Sequence, residues 1–366
     1  MAKRVILAVA GAGKTYHICH GLDENERNLI IAFTHENIRN IKKELTDAFG
    51  GIPPLTTVST FDSFIYKNFI LPYEHTIAEH FQRPSFKSYG ITMKKPPKPT
   101  MEVDRSRYVP NPNYVKCEFL EHYITKGGQY YCDTMSELAC KVKSRRVDLV
   151  KKAVARLGIF HDAIFVDEFQ DFRGHDYDLL IRLAELFERV TFVGDYYQHS
   201  VSAVNNSGKP FRRGVTYDSF VCSLRELGFE VDQTSLQKSR RCSEEICNYV
   251  KRKLGIDIVS SGLNNGNVIW ADGFAEDILK DDGIVKLVFK DASKRSFKAM
   301  NWSYSKGSTL DSACVILTEN FEDMDDNAFV TDGIGPTTVN KLYVAMTRSR
   351  GDLYLIKNKT LKNLGY

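Results

Sequence analysis

The sequence contains no C-x-x-C pair, no apolar run approaching the length of a transmembrane helix, no low-complexity tract and no internal repeat. Each absence excludes a class of protein. The eight cysteines, Cys19, Cys117, Cys132, Cys140, Cys222, Cys242, Cys247 and Cys314, are scattered. Their scatter argues against structural zinc and an iron–sulfur cluster, and for a reducing cytoplasm. Without a long apolar run no membrane span is expected. An N-terminus that is basic for two residues and then enters an apolar strand is too short for a signal peptide. What remains is the composition of a folded soluble chain: 43% hydrophobic, 26% charged and, at 366 residues, long enough for two domains of ordinary size. The net charge of +4 says little, but its distribution says more. Lys141, Lys143, Arg145, Arg146, Lys151, Lys152 and Arg156 crowd one helical region, whereas residues 319–326 are acidic. Such a basic run is either a solvated face or a nucleic-acid contact.

Two stretches carry chemistry. Ala163-Ile164-Phe165-Val166 reads as a buried strand that ends abruptly in Asp167-Glu168-Phe169-Gln170-Asp171. That places the carboxylates at the carboxyl end of the strand, where open α/β sheets hold their ligands. Near the start, Arg4-Val5-Ile6-Leu7 is a short strand followed by Ala8-Val9-Ala10-Gly11-Ala12-Gly13-Lys14-Thr15 and then a helix-compatible segment. This is a phosphate-binding loop in strand-loop-helix context, with Ala8 where the usual pattern has its first Gly. Its glycines let backbone N–H groups approach phosphate, Lys14 reaches the β/γ-phosphates, and Thr15 can ligate Mg²⁺. Together the two stretches predict a site for Mg²⁺ and ATP.

Further strands are predicted at residues 29–34, 57–64 and 190–198, with helices at 38–45 and 179–187. Alternation of this kind implies a parallel sheet with polar strand tips gathered on one edge. The order of motifs then resembles the UvrD/Rep group of superfamily 1 helicases: Ala-x-Ala-Gly-x-Gly-Lys-Thr at 8–15, Phe-Thr-x-x-x at 33–37, Thr-Phe-x-Ser at 60–63, Asp-Glu-Phe-Gln-Asp at 167–171 and Gly-Asp-x-x-Gln at 194–198. The series continues with Leu236-Gln237-Lys238-Ser239-Arg240-Arg241-Cys242, Ser305-Lys306-Gly307-Ser308-Thr309 and Leu342-Tyr343-Val344-Ala345-Met346-Thr347-Arg348. A looser likeness, to the helicase-like subunit of the Gabija anti-phage system, lies in Asp62-Ser63-Phe64 followed by Ile70-Leu71-Pro72, and in Arg241-Cys242 followed by Ile246.

The resemblance implies roles. Asp167, with Thr15, would hold Mg²⁺, and Glu168 would orient and deprotonate the attacking water. Gln170 would help position that water, Gln198 would report the γ-phosphate to the nucleic-acid groove, and Arg241 and Arg348 would be arginine fingers. The alternative for Arg348 is a surface ion pair on a helix. Ala10, Gly11, Ala12, Gly13, Lys14 and Thr15 would cradle the nucleotide, with Gly307 and Thr309 beside it. Tyr16 and Arg240 would flank adenine, because the family's arginine and tyrosine are exchanged at these two positions. For single-stranded DNA, the resemblance points to Thr34, His35, Thr60, Phe61 and Ser63 in the first domain, and to Ser305 and Lys306 in the second. Phe61 suits base stacking or, equally, the core at the end of its strand.

Departures from the family pattern are equally plain. Lys14 comes thirteen residues after Met1, which predicts that the glutamine segment reading adenine upstream of the loop is missing. After Gln198 the chain reads His199-Ser200-Val201-Ser202-Ala203-Val204, without the family's stacking aromatic. The glutamate of the fifth motif is Thr309, and its histidine is Ser303. About sixty-five residues separate Arg241 from Lys306, too few for the family's large regulatory subdomain. The expectation is therefore two RecA-like α/β P-loop domains with parallel sheets, 1–208 and 209–366. The first carries a small insertion at about 75–155, and the regulatory subdomain of the second is reduced or absent. The expected function is ATP-dependent translocation on single-stranded DNA, with ATP and Mg²⁺ as cofactors, a protein partner and no membrane. The alternative is an ATP-gated sensor or partner-regulating subunit with little unwinding of its own.

Overall fold

Uninterrupted apolar runs become strands covered on both faces, as in parallel sheets. In the computed structural model, which describes residues 2–83, 86–104, 107–144, 147–199, 208–212 and 214–366, the principal strands are β1 (Ala2–Leu7), β2 (Asn28–Ala32), β3 (Thr56–Thr60), β4 (Ala163–Val166), β5 (Arg189–Gly194), β6 (Glu230–Asp232), β7 (Val268–Trp270), β8 (Val285–Val288), β9 (Ala299–Asn301), β10 (Ala313–Ile316) and β11 (Leu353–Ile356). The chain divides into two units interleaved in sequence. One comprises Met1–Lys3, Leu22–Val166 and Phe172–Thr191; the other comprises Arg4–Gly21, Asp167–Asp171 and Phe192–Tyr366.

In the first unit, β4, β2 and β3 are neighbours and all parallel, with Leu29 beside both Ile164 and Thr57. Every residue of β2 is buried. The helix after β2 runs from His35 to Phe49, longer than expected at both ends, because Thr34 caps it: its Oγ1 accepts from Asn37 N at 3.1 Å. The strand expected over 57–64 stops at Thr60. There Thr60 Oγ1 accepts from Ser63 N at 3.4 Å, and Phe61–Ile65 turns helical. A local cap overrides the β-propensity of an aromatic tip. The basic cluster is divided between the helices Cys132–Lys141 and Leu149–Phe160. Asp148 Oδ2 lies 3.7 Å from Lys143 and 2.7 Å from Arg182, and Arg145 and Arg146 lie outside the described residues.

The second unit holds two parallel arrangements. β1 lies between β6 and β5, with Val5 paired to Val231, and β5 ends at Gly194, short of the expected 198. A five-stranded sheet has the order β7-β11-β10-β8-β9, with every pairing parallel. Ala271, Ile278, Leu279, Val288, Ile316 and Ile356 pack one face of it. The residues between Arg241 and Lys306 build the helix Glu244–Leu254 and the strands β7, β8 and β9 of this sheet. They form part of the domain itself. The segment after His199, where the stacking aromatic is missing, lies outside the described residues.

At the end of β6, Asp232 is buried and accepts from Thr234 N and Ser235 N, each at 2.9 Å, while its Oδ2 lies 2.5 Å from Arg4 Nη2. Burial alone would push its carboxyl up; the Ser235 and Thr234 hydrogen bonds outweigh that and hold it below the usual carboxylate range. A depressed folded-state value stabilises above the unfolded value of about 3.9, and the stabilisation disappears as pH falls. Asp232→Asn is expected to lower stability at pH 7 by about 1–3 kcal/mol. Denaturant titration below about pH 4 should show that difference shrinking.

Candidate nucleotide site

The phosphate loop owes its shape to two glycines. Gly11 has φ +72° and Gly13 φ +84°. A Cβ on Gly11 would fall 2.7 Å from Arg241 Cβ and 2.8 Å from Ser239 Oγ, so no other residue fits there. The loop is tied to its surroundings by backbone bonds from Ala8 N to Gly194 O (2.8 Å), Val9 N to Leu236 O (3.0 Å) and Arg240 N to Gly11 O (2.9 Å). Helix Lys14–His20 follows directly.

From this helix Lys14 sends its Nζ to 3.2 Å from Glu168 Oε1, and Thr15 Oγ1 donates to Asp167 Oδ2 at 2.8 Å. The two sequence stretches thus meet, side chain to side chain. Glu168 holds a left-handed backbone, φ +54°, strained for a non-glycine residue. Its carboxyl is buried, which pushes its pKa up, but Lys14 and then Lys306 outweigh this and keep it ionised. Asp167 is pushed the other way, by burial and then by the charge of Glu168. Gln170 Nε2 donates to Glu168 Oε2, and Gln170 Oε1 accepts from Asp195 N at 2.9 Å. Gln198 Nε2 donates to Asp195 Oδ2 at 2.8 Å. Both glutamines therefore meet at Asp195, which burial raises to about 6.

The two arginines expected as fingers are both here. Arg348, 1% exposed, donates from Nε to Val344 O at 2.8 Å; Arg241 donates from Nε to Thr309 Oγ1 at 2.9 Å and from Nη1 to Thr347 O at 3.1 Å. Among the described residues neither meets a carboxylate, so Arg348 is not part of a surface ion pair. Burial disfavours the charge of each guanidinium, and for Arg348 the neighbouring Arg241 adds to the cost. A buried cation lacking an anion is costly, and phosphate would supply one. Gly307 lies next to Lys306, exposed and at φ +88°, and Thr309 is engaged by Arg241.

Three expectations need correction. Lys306, expected on the nucleic-acid track, is 13% exposed, with its Nζ 2.6 Å from Asp171 Oδ1 and 3.6 Å from Glu168 Oε2. Ser305 is buried and donates to Trp302 O at 2.7 Å, which removes it from a phosphate track. Phe61, 2% exposed, packs against Phe172 at 4.6 Å between centroids, so its ring takes the core reading and offers no face to a base. Thr34 and His35 are exposed after β2, and Thr60, the last residue of β3, and Ser63 beyond it are half-buried. The adenine bracket is also closed on itself. Arg240 Cζ lies 5.0 Å from the Tyr16 ring centroid, and His20 stacks on that ring at 3.8 Å. Sequence reasoning passed over Tyr343, although it stands inside the last motif. Its hydroxyl accepts from Ala10 N at 2.8 Å and donates to Asp195 Oδ2 at 3.2 Å.

Thr15 and Asp167 are the hard-oxygen pair that suits Mg²⁺, an ion that takes one or two carboxylates and draws its remaining ligands from water and phosphate. Among the described residues no group of three or more His, Cys, Asp or Glu side chains could hold a metal by itself.

The AAA domain family model matches residues 2–203. The chain belongs to the AAA domain family. No curated protein matches it in sequence. Solved structures similar to this AAA domain protein include three of viral helicases. Against "The structure of PRRSV helicase" the identity is 13% and the TM-score 0.43, over 97% of this chain and 52% of that one. Against arterivirus nonstructural protein 10 (helicase) they are 13% and 0.44, over 96% and 59%. Against the same protein in complex with DNA they are 14% and 0.43, over 96% and 60%. The AAA domain protein thus spans between 52% and 60% of the length of these three chains.

Proposed function

We propose that this chain is an ATP-dependent DNA translocase or helicase of the UvrD-like superfamily 1 type, acting on single strands, with Mg²⁺ as cofactor and its second RecA-like domain beginning near residue 209. The observation that carries this reading is the convergence of Lys14 and Thr15 with Asp167 and Glu168, beside two guanidiniums, that of Arg348 buried and that of Arg241 partly so, that lack a carboxylate among the described residues. Positive groups placed for a triphosphate, a hard-oxygen pair and an ionised carboxylate are the parts phosphoryl transfer requires. Mg²⁺ held by Thr15 and Asp167 would neutralise phosphate charge. Lys14 binds phosphate, Glu168 takes the proton of water, Gln170 orients Glu168, and Arg241 and Arg348 stabilise charge on the transferred group. Thr34, His35, Thr60 and Ser63 remain the proposed contacts to the DNA backbone.

A second reading, an ATP-gated DNA sensor or regulatory subunit of the kind the Gabija likeness suggests, is favoured by one observation. The residues between Arg241 and Lys306 build β7, β8, β9 and the helices Glu244–Leu254 and Ala275–Lys280 of the second unit rather than a separate subdomain that could brace a duplex. Phosphate release with and without single-stranded DNA, followed by strand displacement on the same preparation, separates the two. We expect DNA-stimulated ATPase activity with poor unwinding by the isolated chain. Unwinding demands about 1.4 kcal/mol per base-pair step. An ATPase indifferent to every nucleic acid favours the sensor.

A further inference from the structure

A cavity of about 610 Å³ opens beside the phosphate loop, lined by Gly13, Tyr16, His17, His20, Gln237 and Arg240 among others. It begins at the loop and runs along the first helix, where the base of a nucleotide held by Lys14 would reach. Two of its hydroxyls are committed elsewhere, and that of Ser261, buried without a hydrogen-bond partner among the described residues, is not. The hydroxyls of Thr234 and Ser235 donate to Asp232 at 3.0 and 2.5 Å, and His20 is stacked on Tyr16. Gln237 is different. Its Nε2 donates to Leu7 O at 2.7 Å, and since a carbonyl oxygen only accepts, this bond fixes which end of the amide faces the backbone. One N–H of Nε2 and the whole of Oε1 are left without a partner among the described residues.

We infer that Gln237 reads the nucleobase in this cavity and selects adenine over guanine. The inference rests on the nucleotide reading above. Adenine presents an amino donor at N6 beside the N7 acceptor, and a primary amide matches that pair with one acceptor and one donor. Guanine presents oxygen at the corresponding position, so Oε1 would face another acceptor, and a desolvated polar group left unmatched is strongly disfavoured. The bond to Leu7 O, at the last residue of β1, resists the amide flip that would exchange the donor and the acceptor. Arg240 and Tyr16, now in contact with each other, supply stacking surface that is indifferent to the identity of the purine.

Calorimetric titration of the full chain with ADP and with GDP tests this without any need for turnover. ADP should bind at least about tenfold more tightly than GDP. Gln237→Ala should weaken ADP about tenfold and leave GDP within about twofold, which removes the preference. Gln237→Met keeps the approximate size of the side chain, loses the whole amide and should also lose the preference, with thermal melting reporting whether each variant is folded. An ADP-to-GDP ratio unchanged in both folded variants overturns the role of Gln237 while the nucleotide reading stands. Failure of the unaltered chain to bind either diphosphate overturns both.

Discussion

Replacing Glu168 by Gln is expected to slow ATP turnover by about 10²–10⁴-fold while nucleotide binding persists. The substitution keeps the side chain's size and removes only the proton acceptor. What makes the effect large is the state in which the protein keeps this carboxylate. Lys14 at 3.2 Å and Lys306 at 3.6 Å hold it ionised although its side chain is largely buried. Gln170, anchored through its oxygen on Asp195 N, fixes its orientation. Gly194 allows that anchor, since a Cβ there would lie 2.6 Å from Gln170 Oε1. Steady-state phosphate release and a direct binding titration on the same variant check the expectation. Turnover equal to that of the unaltered chain would remove Glu168 from the mechanism.

Arg348→Met should lower turnover by about 10³-fold or more, and Arg348→Lys should restore little of it, because a planar guanidinium presents donors in a fixed fork and an ammonium does not. Stability supplies the control. Breaking a buried ion pair costs about 3–5 kcal/mol, but among the described residues Arg348 has only Val344 O, Ser308 O and Thr347 Oγ1 as acceptors. Removing a buried charge that lacks a counter-ion should leave the melting temperature unchanged or raise it. A large loss of stability together with intact turnover would assign Arg348 to the architecture instead.

Much of this was legible in the chain before its structure. The phosphate loop and the acidic strand end are local patterns whose chemistry demands particular residues at fixed spacing, and Lys14, Thr15, Asp167 and Glu168 meet as that chemistry requires. The misplacements have a common cause. Whether Lys306 faces solvent or a carboxylate depends on how distant segments pack, and the sequence around it carries no record of Asp171, 135 positions away. Phe61 looked equally suited to a base or a core until Phe172 took up one face of its ring. Thr60 illustrates the local version: a residue well suited to a strand turned out to cap a helix. Gln237 and Tyr343 stood inside recognised motifs, but their importance comes from the main-chain atoms they contact, Leu7 O and Ala10 N, and no pattern of residue types encodes those.

The hydroxyl of Tyr343 has a consequence for how the loop meets its ligand. One backbone donor of the loop, Ala10 N–H, already belongs to that hydroxyl, which in turn donates to Asp195. Ala10 N–H cannot serve Tyr343 and a ligand oxygen fully at once. A ligand that claims it must evict the phenol, and the phenol then has only Asp195 left of its two partners. Arrival at the loop is thereby legible as a change of partner at Asp195, where Gln170 and Gln198 also end. The aspartate is thus a junction box, its carboxylate shared by the phenol and the amide of Gln198 and its backbone N–H held by Gln170.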